Sequence, residues 1–543
     1  MNSKVIKTTH FSGQKPGTSG LRKKTKVFMQ ENYLENFVQS IFDAIGGLKG
    51  KVLVLGGDGR FYNKEAIQKI IKMAVAADAK QLIIGQNGLL STPSASNLIR
   101  KYHADGGIIL SASHNPGGID NDFGIKFNGN NGGPSSEAVT EAIYNRTKLI
   151  SEYFMCEIKD IDLDVIGSTN IDRTTIQVID PVSDYCNLMQ DLFDFDAIRK
   201  LFKDGFSLKF DAMHAVTGPY ATRILEDVLG AQKGSVINAV PSEDFGKGHP
   251  DPNPVWAKPL YDLLMSDAAP DFAAASDGDG DRNMILGRSI YVTPSDSLAV
   301  LAANAHLVPH YKNAIVGIAR SMPTSRAADR VAKKLGIDLY ETPTGWKFFG
   351  NLLDDNRITI CGEESAGTGS NHVREKDGLW AVLLWLNILA VRKQSVADVL
   401  NEHWQIYGRD FYARYDFENV AQDKASRFVE ILKSRLGELK NTSIGDTFVK
   451  DAEDFSYVDP VDGSKSISQG CVLHFGNGAR AVVRLSGTGT DGATIRLYLE
   501  QYAQASEDIT RNVQDVLQPI AEAFYELTNF RKITGRDKPD VVT

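Results

Sequence analysis

The chain is poor in cysteine, carries no excess of basic charge and has no long apolar run. Its four cysteines among 543 residues lie far apart and form no CxxC pair, which disfavours a disulfide scaffold or a zinc site. The net charge of −8 argues against general binding to nucleic acid or acidic membranes. No apolar run approaches the about 20 residues of a membrane span, and the N-terminal segment lacks a signal-peptide core. We therefore expect a soluble, cytoplasmic protein with no nucleic-acid or membrane partner.

Three stretches of the chain share one strand–helix–strand layout. They begin at Lys51, Ser207 and Asn313, and in each an apolar strand is followed by an amphipathic helix and a second strand. Such units are consistent with parallel pairing through a right-handed crossover; their similarity reflects duplication or coincidence in a common unit. The C-terminal segment mixes helical patterns with short strands, which is typical of an α+β domain. Turn residues and changes of period predict domains at 1–183, 184–291, 292–407 and 408–543.

The segment LSASHNPGG, residues 110–118, places a serine and a histidine between an apolar strand and a turn. Gly107 to Leu110 predicts a buried strand, whereas Asn115 to Gly118 can hardly continue a strand or begin a regular helix. Ser113 is therefore expected to be exposed at the mouth of a strand, the edge at which open α/β sheets bind ligands. On these residues alone an ordinary serine-rich turn is equally compatible.

The segment SDGDGDRN, residues 276–283, contains three alternating aspartates, Asp277, Asp279 and Asp281. In an extended segment their side chains would share one face, and a hard divalent cation would compensate their repulsion. A calcium loop of the EF-hand type is excluded, because its sixth and twelfth positions are Arg282 and Arg288. Mg²⁺ with open positions suits phosphate chemistry, and a solvated acidic turn is the alternative.

The segment RLSGTGTDGATIR, residues 484–496, is a loop of small residues between two arginines. Its backbone N–H groups and hydroxyls can surround an anion, and Arg484 and Arg496 can bind phosphate oxygens in pairs. It is not a Walker loop, because no GK[ST] follows. A glycine-rich hairpin is the structural alternative.

Four shorter motifs are weak signals individually. Glu363 and Ser365 in GEESAG suit sugar hydroxyls but would also fit an exposed acidic turn. Trp346 in TPTGWKFFG could equally be a core residue at the start of a helix. The remaining polar groups are Ser19 and Arg22 in GTSGLRKK, and His372, Arg374 and Lys376 in HVREKDG. Together the motifs combine a serine, a cation site, an anion cradle and sugar-type polar groups, as phosphoryl transfer requires.

The motifs, in their order along almost the whole chain, resemble the α-D-phosphohexomutase superfamily and most of all its phosphoglucomutase family. The segments that carry the resemblance include GTSGLRKK, GGDGRFY, SASHNPGG, DGDGDRNMILG, LYETPTGWKFFG, CGEESAGTGS, REKDGLWAV and RLSGTGTDGATIRLY. The resemblance implies four domains around a central cleft: three related α/β domains with mixed sheets and a C-terminal α+β domain. In chain order these domains would carry the phosphoserine loop, the metal loop, the sugar-specificity loop and the phosphate-binding loop.

The resemblance also implies a role for each motif. Ser113 would be the phosphoserine, and Asp277, Asp279 and Asp281 would hold Mg²⁺ against its phosphate. The candidates for proton transfer or charge stabilisation are His114, Lys126, Lys376 and Arg22. The implied substrate-binding residues are Thr18, Ser19, Arg22, Arg282, Thr344, Gly345, Glu363, Ser365, Lys376, Arg484, Ser486, Gly487, Thr488 and Arg496. The implied reaction interconverts α-D-glucose 1-phosphate and glucose 6-phosphate through glucose 1,6-bisphosphate, which also serves as activator.

Two other functions remain open at this stage. A mannose- or glucosamine-phosphate mutase would use the same serine and metal loop, and relative kcat/KM values would distinguish it. A non-catalytic phosphoprotein relative would be expected to have lost the serine, an aspartate or the phosphate loop, all of which are present here. The resemblance implies sugar phosphates as the ligands, and we expect a monomer, with a dimer as the alternative.

Overall fold

The computed structural model describes residues 3–17, 19–486 and 492–543. Four sheets divide them into four successive domains. Three of these sheets contain parallel and antiparallel pairs, and the C-terminal sheet is antiparallel. This arrangement confirms the predicted fold class, whereas the predicted boundaries between the domains remain predictions.

The first domain has a seven-stranded sheet in the order β2-β6-β5-β3-β4-β9-β8. The strands of the whole domain are β1 (Ser3–Lys7), β2 (Leu21–Lys24), β3 (Val52–Gly57), β4 (Gln81–Leu89), β5 (Gly106–Leu110), β6 (Asp122–Asn128), β7 (Glu152–Cys156), β8 (Gly167–Ile171) and β9 (Thr174–Ile179), of which β1 and β7 lie outside this sheet. Its helices are α1 (Thr25–Phe28), α2 (Tyr33–Ala44), α3 (Asn63–Ala76), α4 (Thr92–Lys101) and α5 (Glu137–Thr147). The apolar central strands β3 and β5 pair in parallel, as continuous hydrophobic strands covered on both faces do.

The second domain has a five-stranded sheet in the order β11-β10-β12-β13-β14. Its strands are β10 (Leu208–Asp211), β11 (Val236–Ile237), β12 (Phe272–Ser276), β13 (Asn283–Gly287) and β14 (Ile290–Val292). Its helices are α6 (Ser183–Leu192), α7 (Phe195–Lys203), α8 (Thr217–Ala221), which continues as a π-helix over Thr222–Val228, and α9 (Lys258–Leu264).

The third domain has a four-stranded sheet in the order β16-β15-β17-β18. Its strands are β15 (Gly317–Ser321), β16 (Asp338–Thr342), β17 (Ile360–Gly362) and β18 (Thr368–Ser370). Its helices are α10 (Pro294–Asn304), α11 (Ala327–Leu335), α12 (Trp346–Asp354), α13 (Gly378–Arg392) and α14 (Val396–Tyr407). In all three domains the strands of the predicted strand–helix–strand unit pair in parallel.

The C-terminal domain has a seven-stranded sheet in the order β20-β21-β24-β25-β26-β19-β27. The strands of the whole domain are β19 (Arg409–Val420), β20 (Ser443–Ile444), β21 (Thr447–Asp454), β22 (Tyr457–Val458), β23 (Lys465–Ser466), β24 (Cys471–Phe475), β25 (Arg480–Ser486), β26 (Ala493–Ala503) and β27 (Val541–Val542), of which β22 and β23 lie outside this sheet. Helices α15 (Gln422–Leu439), α16 (Val513–Thr528) and α17 (Phe530–Thr534) pack their apolar side chains against this sheet.

Helix α13 packs against both the second and the third domain. It contacts α7, β12 and β13 on one side and α10 and β18 on the other, and its residues from Gly378 to Leu389 are all buried. A helix that is apolar on every face is stable only when it is enclosed in this way. In the described part of the chain no single helix is long and apolar enough to cross a membrane; only α13 and α14 pass that test as a pair, and they are bent by 85°.

Two aspartates at equivalent positions of neighbouring helices differ in burial. Asp296 and Asp398 both occupy the third helical position, after the N-cap residues Thr293 and Ser395. Asp296 is buried, and its Oδ1 lies 3.4 Å from Nε1 of Trp404. Burial raises the pKa of Asp296 to about 6, whereas hydrogen bonds from Ser395 lower the pKa of the exposed Asp398. The ionised form is therefore disfavoured at Asp296 and favoured at Asp398.

We predict that Asp296→Asn stabilises the protein at neutral pH. A carboxyl whose folded pKa is raised contributes stability fully below its unfolded pKa of about 4 and loses it as the pH rises through 6. The amide of Asp296→Asn does not ionise, so the variant avoids this loss. Its free energy of unfolding should exceed that of wild type by up to about 3 kcal/mol at pH 7.5, and the difference should shrink towards pH 4. Thermal unfolding at both pH values measures it. Asp398→Asn is the control and should destabilise at pH 7.5; an equal gain for Asp296→Asn at both pH values would contradict the prediction.

Candidate active site

A cleft of ≈ 610 Å³ lies where the four domains meet. Each domain contributes polar side chains to its wall, and these include most of the site residues predicted from the sequence. The predicted residues that line it are Ser19, Arg22, His114, Lys126, Asp281, Arg282, Thr344, Gly345, Glu363, Ser365, Lys376, Arg484, Ser486 and Arg496. Ser113, Asp277 and Asp279 lie beneath this wall and are buried. Thr18, Gly487 and Thr488 lie outside the described residues.

Ser113 follows the carboxyl end of β5, in a turn that adjoins the second domain. Its φ of +51° is unusual for a residue other than glycine, and its N–H donates to Oγ of Ser111 at 2.7 Å. The buried guanidinium of Arg60 donates to its carbonyl oxygen at 2.9 Å. The prediction that Ser113 is exposed is wrong, because only 3% of the residue is accessible. The aspartate loop of the second domain covers it, and the Ser113 hydroxyl donates to Oδ2 of Asp277 at 2.9 Å.

The aspartate loop is a tight turn after β12, not the extended segment that the alternating aspartates suggested. Gly280 has a φ of +80°, which folds the loop back on itself. The N–H groups of Asp281 and Arg282 both donate to Oδ1 of Asp277, at 2.9 and 3.0 Å. The turn gathers the three carboxylates, one oxygen of each lying within 4.8 Å of the others.

Each of these carboxylates lies within 4 Å of a cationic side chain. Nζ of Lys126, on β6 of the first domain, lies 2.9 Å from Oδ2 of Asp279. Nζ of Lys376, from the third domain, lies 3.1 Å from Oδ2 of Asp281. Nε of Arg282 lies 3.9 Å from Oδ2 of Asp277. The charge of the second-domain loop is therefore compensated in part by side chains of two other domains.

Burial and mutual repulsion still shift the ionisation of the cluster. Burial, with the charges of Asp281 and Asp279, raises the pKa of Asp277 well above its usual range. At Asp279 burial acts in the same direction, but the Lys126 ammonium and the Thr92 hydroxyl outweigh it and lower the pKa. Oδ1 of Asp279 and Oδ1 of Asp281 are buried and accept no hydrogen bond from the described residues. These two unpartnered oxygens, with the third carboxylate beside them, could bind a divalent cation with oxygen ligands.

His114 and Arg22 lie on the cleft side of Ser113. Nδ1 of His114 is 3.4 Å from Oγ of Ser113. Burial, with the charges of Arg282 and Arg22, lowers the pKa of His114 well below its usual range, so the imidazole is neutral at physiological pH. Nε of Arg22 is buried and has no hydrogen-bond partner among the described residues. The two side chains therefore offer one neutral ring and one available cation to a ligand.

The sugar-specificity segments of the sequence analysis meet in the third domain. Gly345, whose φ is +132°, donates its N–H to Oε1 of Glu363 at 2.9 Å. Trp346 begins α12 and is buried, so its indole is a core residue at the edge of the cleft. Thr344, Gly345, Glu363 and Ser365 are thus brought together at one wall.

The opposite end of the cleft is cationic. Arg484 on β25 and Arg496 on β26 are directly opposite one another in the antiparallel pair, so both side chains share the cleft-facing side of the sheet. Like charges in this position repel one another. Arg484 donates to the carbonyl oxygen of Gln469 at 3.1 Å, and Nε of Arg496 lies 3.7 Å from Oδ1 of Asp416. An anion between the two guanidiniums would relieve the repulsion.

Sequence reasoning missed several residues of the cleft wall. Trp256 stacks on His249 with a centroid distance of 4.3 Å, and both lie in or just after the segment EDFGKGHPDPN, residues 243–253, to which the sequence analysis assigned no role. Glu375 accepts a hydrogen bond from Asn128 at 2.8 Å, and burial raises its pKa to about 7. Arg414 pairs with Glu364 at 3.1 Å, and no signal in the alternating strand β19 distinguished it. Glu375 lies within the motif REKDGLWAV, and His249 and Trp256 lie within or beside EDFGKGHPDPN, so these three could have been found there.

Comparisons with known proteins agree with this geometry over the whole chain. Family models of phosphoglucomutase/phosphomannomutase alpha/beta/alpha domains I, II and III match residues 13–154, 183–289 and 294–407, and that of the phosphoglucomutase-1 C-terminal domain matches 409–540. A phosphoglucomutase of Rhizobium radiobacter is 59% identical over 99% of this chain and 100% of its own length. Phosphoglucomutase-1 of Bos taurus is 49% identical over 99% of each chain.

The chain belongs to the phosphoglucomutase family. A solved structure from Paramecium, the open form of the phosphoglucomutase parafusin, is 49% identical, superposes with a TM-score of 0.92 and covers 100% of this chain and 99% of that one. A phosphomannomutase-like structure from Thermus thermophilus, 20% identical over 96% of this chain and 100% of its own, has a TM-score of 0.70 and shows the shared fold alone. The activity is accordingly that of a phosphoglucomutase, an isomerase of sugar phosphates.

Gly278 provides a test of how closely the aspartate loop must approach Ser113. A Cβ at this position would lie 2.3 Å from the carbonyl oxygen of Ser113. We predict that Gly278→Ala separates the two loops and lowers kcat by about 10- to 100-fold, because small misplacements of reacting groups are costly. Gly437, exposed within α15 with no atom near its Cβ position, is the control: Gly437→Ala should add roughly 0.5–1 kcal/mol of stability and leave kcat unchanged. Wild-type kcat in Gly278→Ala would contradict the prediction.

Proposed function

We propose that the enzyme interconverts α-D-glucose 1-phosphate and glucose 6-phosphate through a phosphoserine at Ser113. The phosphoryl group passes from Oγ of Ser113 to the free hydroxyl of the substrate, giving glucose 1,6-bisphosphate, and the serine then recovers a phosphoryl group from the other position. The observation that carries this proposal is the Ser113 hydroxyl held 2.9 Å from Asp277 beneath a cleft whose far end bears two adjacent arginines. The Paramecium relative is itself described as a phosphoprotein.

The donor set at the aspartate loop fits Mg²⁺. Asp277, Asp279 and Asp281 would bind the ion together with an oxygen of the Ser113 phosphate, and two of their oxygens have no hydrogen-bond partner among the described residues. When bound, the ion would neutralise charge on the phosphoryl group in transfer. Arg282 lies beside the same carboxylates and would add a fixed positive charge at this end of the cleft.

Proton movement is assigned to the side chains around Ser113. In the first transfer the bond from phosphorus to Oγ of Ser113 breaks as the bond to the sugar oxygen forms, so the sugar hydroxyl loses a proton and Oγ of Ser113 gains one. The second transfer reverses both changes. Burial lowers the pKa of Lys126, but the carboxylates of Asp279 and Glu375 outweigh it, so the pKa is raised and Lys126 stays a charge-stabilising cation. Lys376 lines the cleft and would exchange the proton with the sugar hydroxyl, while neutral His114 and the Arg22 guanidinium orient the phosphate.

The two remaining walls would bind the parts of the substrate that do not react. Glu363 and Ser365, with the loop at Thr344 and Gly345, would contact sugar hydroxyls. Arg484, Arg496 and Ser486 would hold the phosphate that is not transferred, and the motif resemblance adds Gly487 and Thr488 to this set. It also assigns Ser19 and Thr18 to substrate binding. Since either phosphate must occupy this end in turn, the sugar must bind in two orientations. Recognition of the substrate would therefore depend on sugar and phosphate groups that the substrate presents to the cleft in both orientations.

We further propose that the enzyme acts in the cytoplasm, as a monomer. A 49% identical relative of Pisum sativum carries the name cytoplasmic phosphoglucomutase, and one of Arabidopsis thaliana at 51% is chloroplastic. All four cysteines of this chain are buried free thiols, which suits a reducing compartment. Size-exclusion chromatography with light scattering would measure the oligomeric state.

We predict that Ser113→Ala lowers turnover by several orders of magnitude, because the covalent intermediate is lost. Intact-protein mass spectrometry after treatment with glucose 1,6-bisphosphate should show one added phosphate on wild type and none on Ser113→Ala. Ser135→Ala, a half-buried serine hydroxyl bonded to the carbonyl of Phe127, is the control and should still accept the phosphate. Phosphate on Ser113→Ala, or near-normal turnover in this variant, would disprove the assignment of the phosphoserine.

We predict that Asp279→Asn weakens Mg²⁺ binding and activity together. The substitution removes one anionic ligand from a site of hard oxygen donors. The rise in melting temperature on adding Mg²⁺, and the Mg²⁺ concentration that gives half-maximal activity after chelation, both measure the effect. Asp251→Asn, which changes a carboxylate of the same cleft outside the aspartate loop, should retain the wild-type response to Mg²⁺. An unchanged Mg²⁺ response in Asp279→Asn would place the metal elsewhere.

A further inference from the structure

A chain of buried hydrogen bonds lies directly behind the loop that carries Lys376. Nε1 of Trp380 lies 2.8 Å from the hydroxyl of Tyr311, and that hydroxyl lies 2.6 Å from Oγ of Ser370. Oγ of Ser370 is 2.7 Å from Nδ1 of His372, whose Nε2 is 3.0 Å from Oδ2 of Asp377. The imidazole and the carboxylate are fully buried, and the ring stacks on Trp380 at 5.2 Å.

The direction of this chain follows from its first member. An indole N–H can only donate, so Tyr311 accepts from Trp380 and must give its own proton to Ser370. Ser370 then donates to Nδ1 of His372, which must be unprotonated there, and the Nε2–H donates to Asp377. Every donor of the chain finds an acceptor only when the imidazole carries a single proton, on Nε2, and Asp377, which only accepts, carries none. The second oxygen of Asp377 accepts from the Tyr185 hydroxyl at 2.6 Å and from the Trp380 N–H at 3.0 Å.

A serine, a histidine and an aspartate in sequence also suggest a hydrolytic triad, but the geometry excludes one. In such triads Nε2 faces the serine and Nδ1 faces the carboxylate, whereas here the two nitrogens are reversed. Ser370 is also fully buried and does not line the cleft. The group therefore has no substrate to attack, and its role must be sought in what it holds in place.

The bond between His372 and Asp377 closes the loop of residues 372–377 at its base. Within that loop the N–H of Arg374 donates to Oγ of Ser96 at 3.0 Å, Glu375 accepts from Asn128, and Lys376 contacts Asp281. The same loop thus contacts the first and the second domain while its ends are tied to the core of the third. The stem of Lys376 packs so closely over Gly367 that a Cβ there would lie 2.3 Å from its Cδ.

We infer that His372 is a positioning residue for Lys376, acting through the hydrogen-bond chain from Trp380 to Asp377. This inference rests on the role proposed above for Lys376. Because a buried, fully used hydrogen-bond chain has one arrangement of its donors, it fixes the loop more narrowly than apolar packing alone. Breaking the chain should move the Lys376 ammonium away from its place beside Asp281. It should thereby slow the proton transfer that depends on this position.

The test compares two variants that each remove one hydrogen bond from an indole of α13. Tyr311→Phe breaks the chain, whereas Ser297→Ala removes the partner of Trp385 Nε1, 2.9 Å away, and leaves the chain intact. Both should lower the melting temperature by similar amounts. Only Tyr311→Phe should lower kcat, by about 10- to 100-fold, with little change in KM for glucose 1-phosphate. His372→Gln, which can retain the donor to Asp377, should keep more of kcat than His372→Ala.

Lys376→Met separates this inference from the proposed function. Loss of turnover in Lys376→Met, with Tyr311→Phe and both His372 variants at the kcat of Ser297→Ala, would overturn the inference and leave the proposed function standing. Wild-type kcat in Lys376→Met would overturn the proposed role of Lys376 itself. If Tyr311→Phe does not fold, Ser370→Ala, which also breaks the chain, replaces it; an unchanged kcat there would equally count against the inference.

Discussion

Three aspartates buried within a single turn impose the constraint on which the site depends. In a medium of low polarity their mutual repulsion and the loss of hydration are tolerable only if positive charge lies close to each of them. The structure supplies it from three places: Arg282 within the loop, Lys126 from the first domain and Lys376 from the third. The packing of the domains around the cleft therefore also places these charges around one turn. Ser113, the serine proposed to carry the phosphate, lies within hydrogen-bond distance of that turn.

The two ends of the cleft differ in the arrangement of their charged side chains. At the Ser113 end, carboxylates and cations alternate, so that a transferred phosphoryl group would meet both a metal site and fixed positive charge. At the C-terminal end, Arg484 and Arg496 stand side by side with Asp416 as a partial partner. A dianionic phosphate is the ligand that such a pair favours, since it satisfies both guanidiniums at once. Under the proposed mechanism this asymmetry would require the bisphosphate to turn round between transfers, because only one end of the cleft contains Ser113.

Local patterns predicted the strand–helix–strand units, the C-terminal α+β domain and several of the residues that line the cleft, because each of these depends on nearby sequence. The family resemblance, carried by long motifs, supplied their functional grouping. What the sequence could not predict depends on contacts between domains. Ser113 is buried because a loop 164 residues later covers it, and the aspartates meet through a turn at Gly280 where alternation suggested an extended strand. The contacts of Arg414 and the chain through His372 likewise join distant residues, and no local signal marks them.

Charge compensation across domains also makes the site dependent on complete assembly. Removing one partner of a buried ion pair typically costs about 3–5 kcal/mol, because the remaining charge is left uncompensated. The aspartate loop would incur this cost once if either the first or the third domain moved away and twice if both did, since the first supplies Lys126 and the third Lys376. Displacement of the first domain from the second would also uncover Ser113, whose burial depends on that loop. In a partly assembled chain the candidate cation site is therefore incomplete and Ser113 is exposed. The position of Lys376 depends on the loop of residues 372–377, on the core helix α13 and on all three α/β domains.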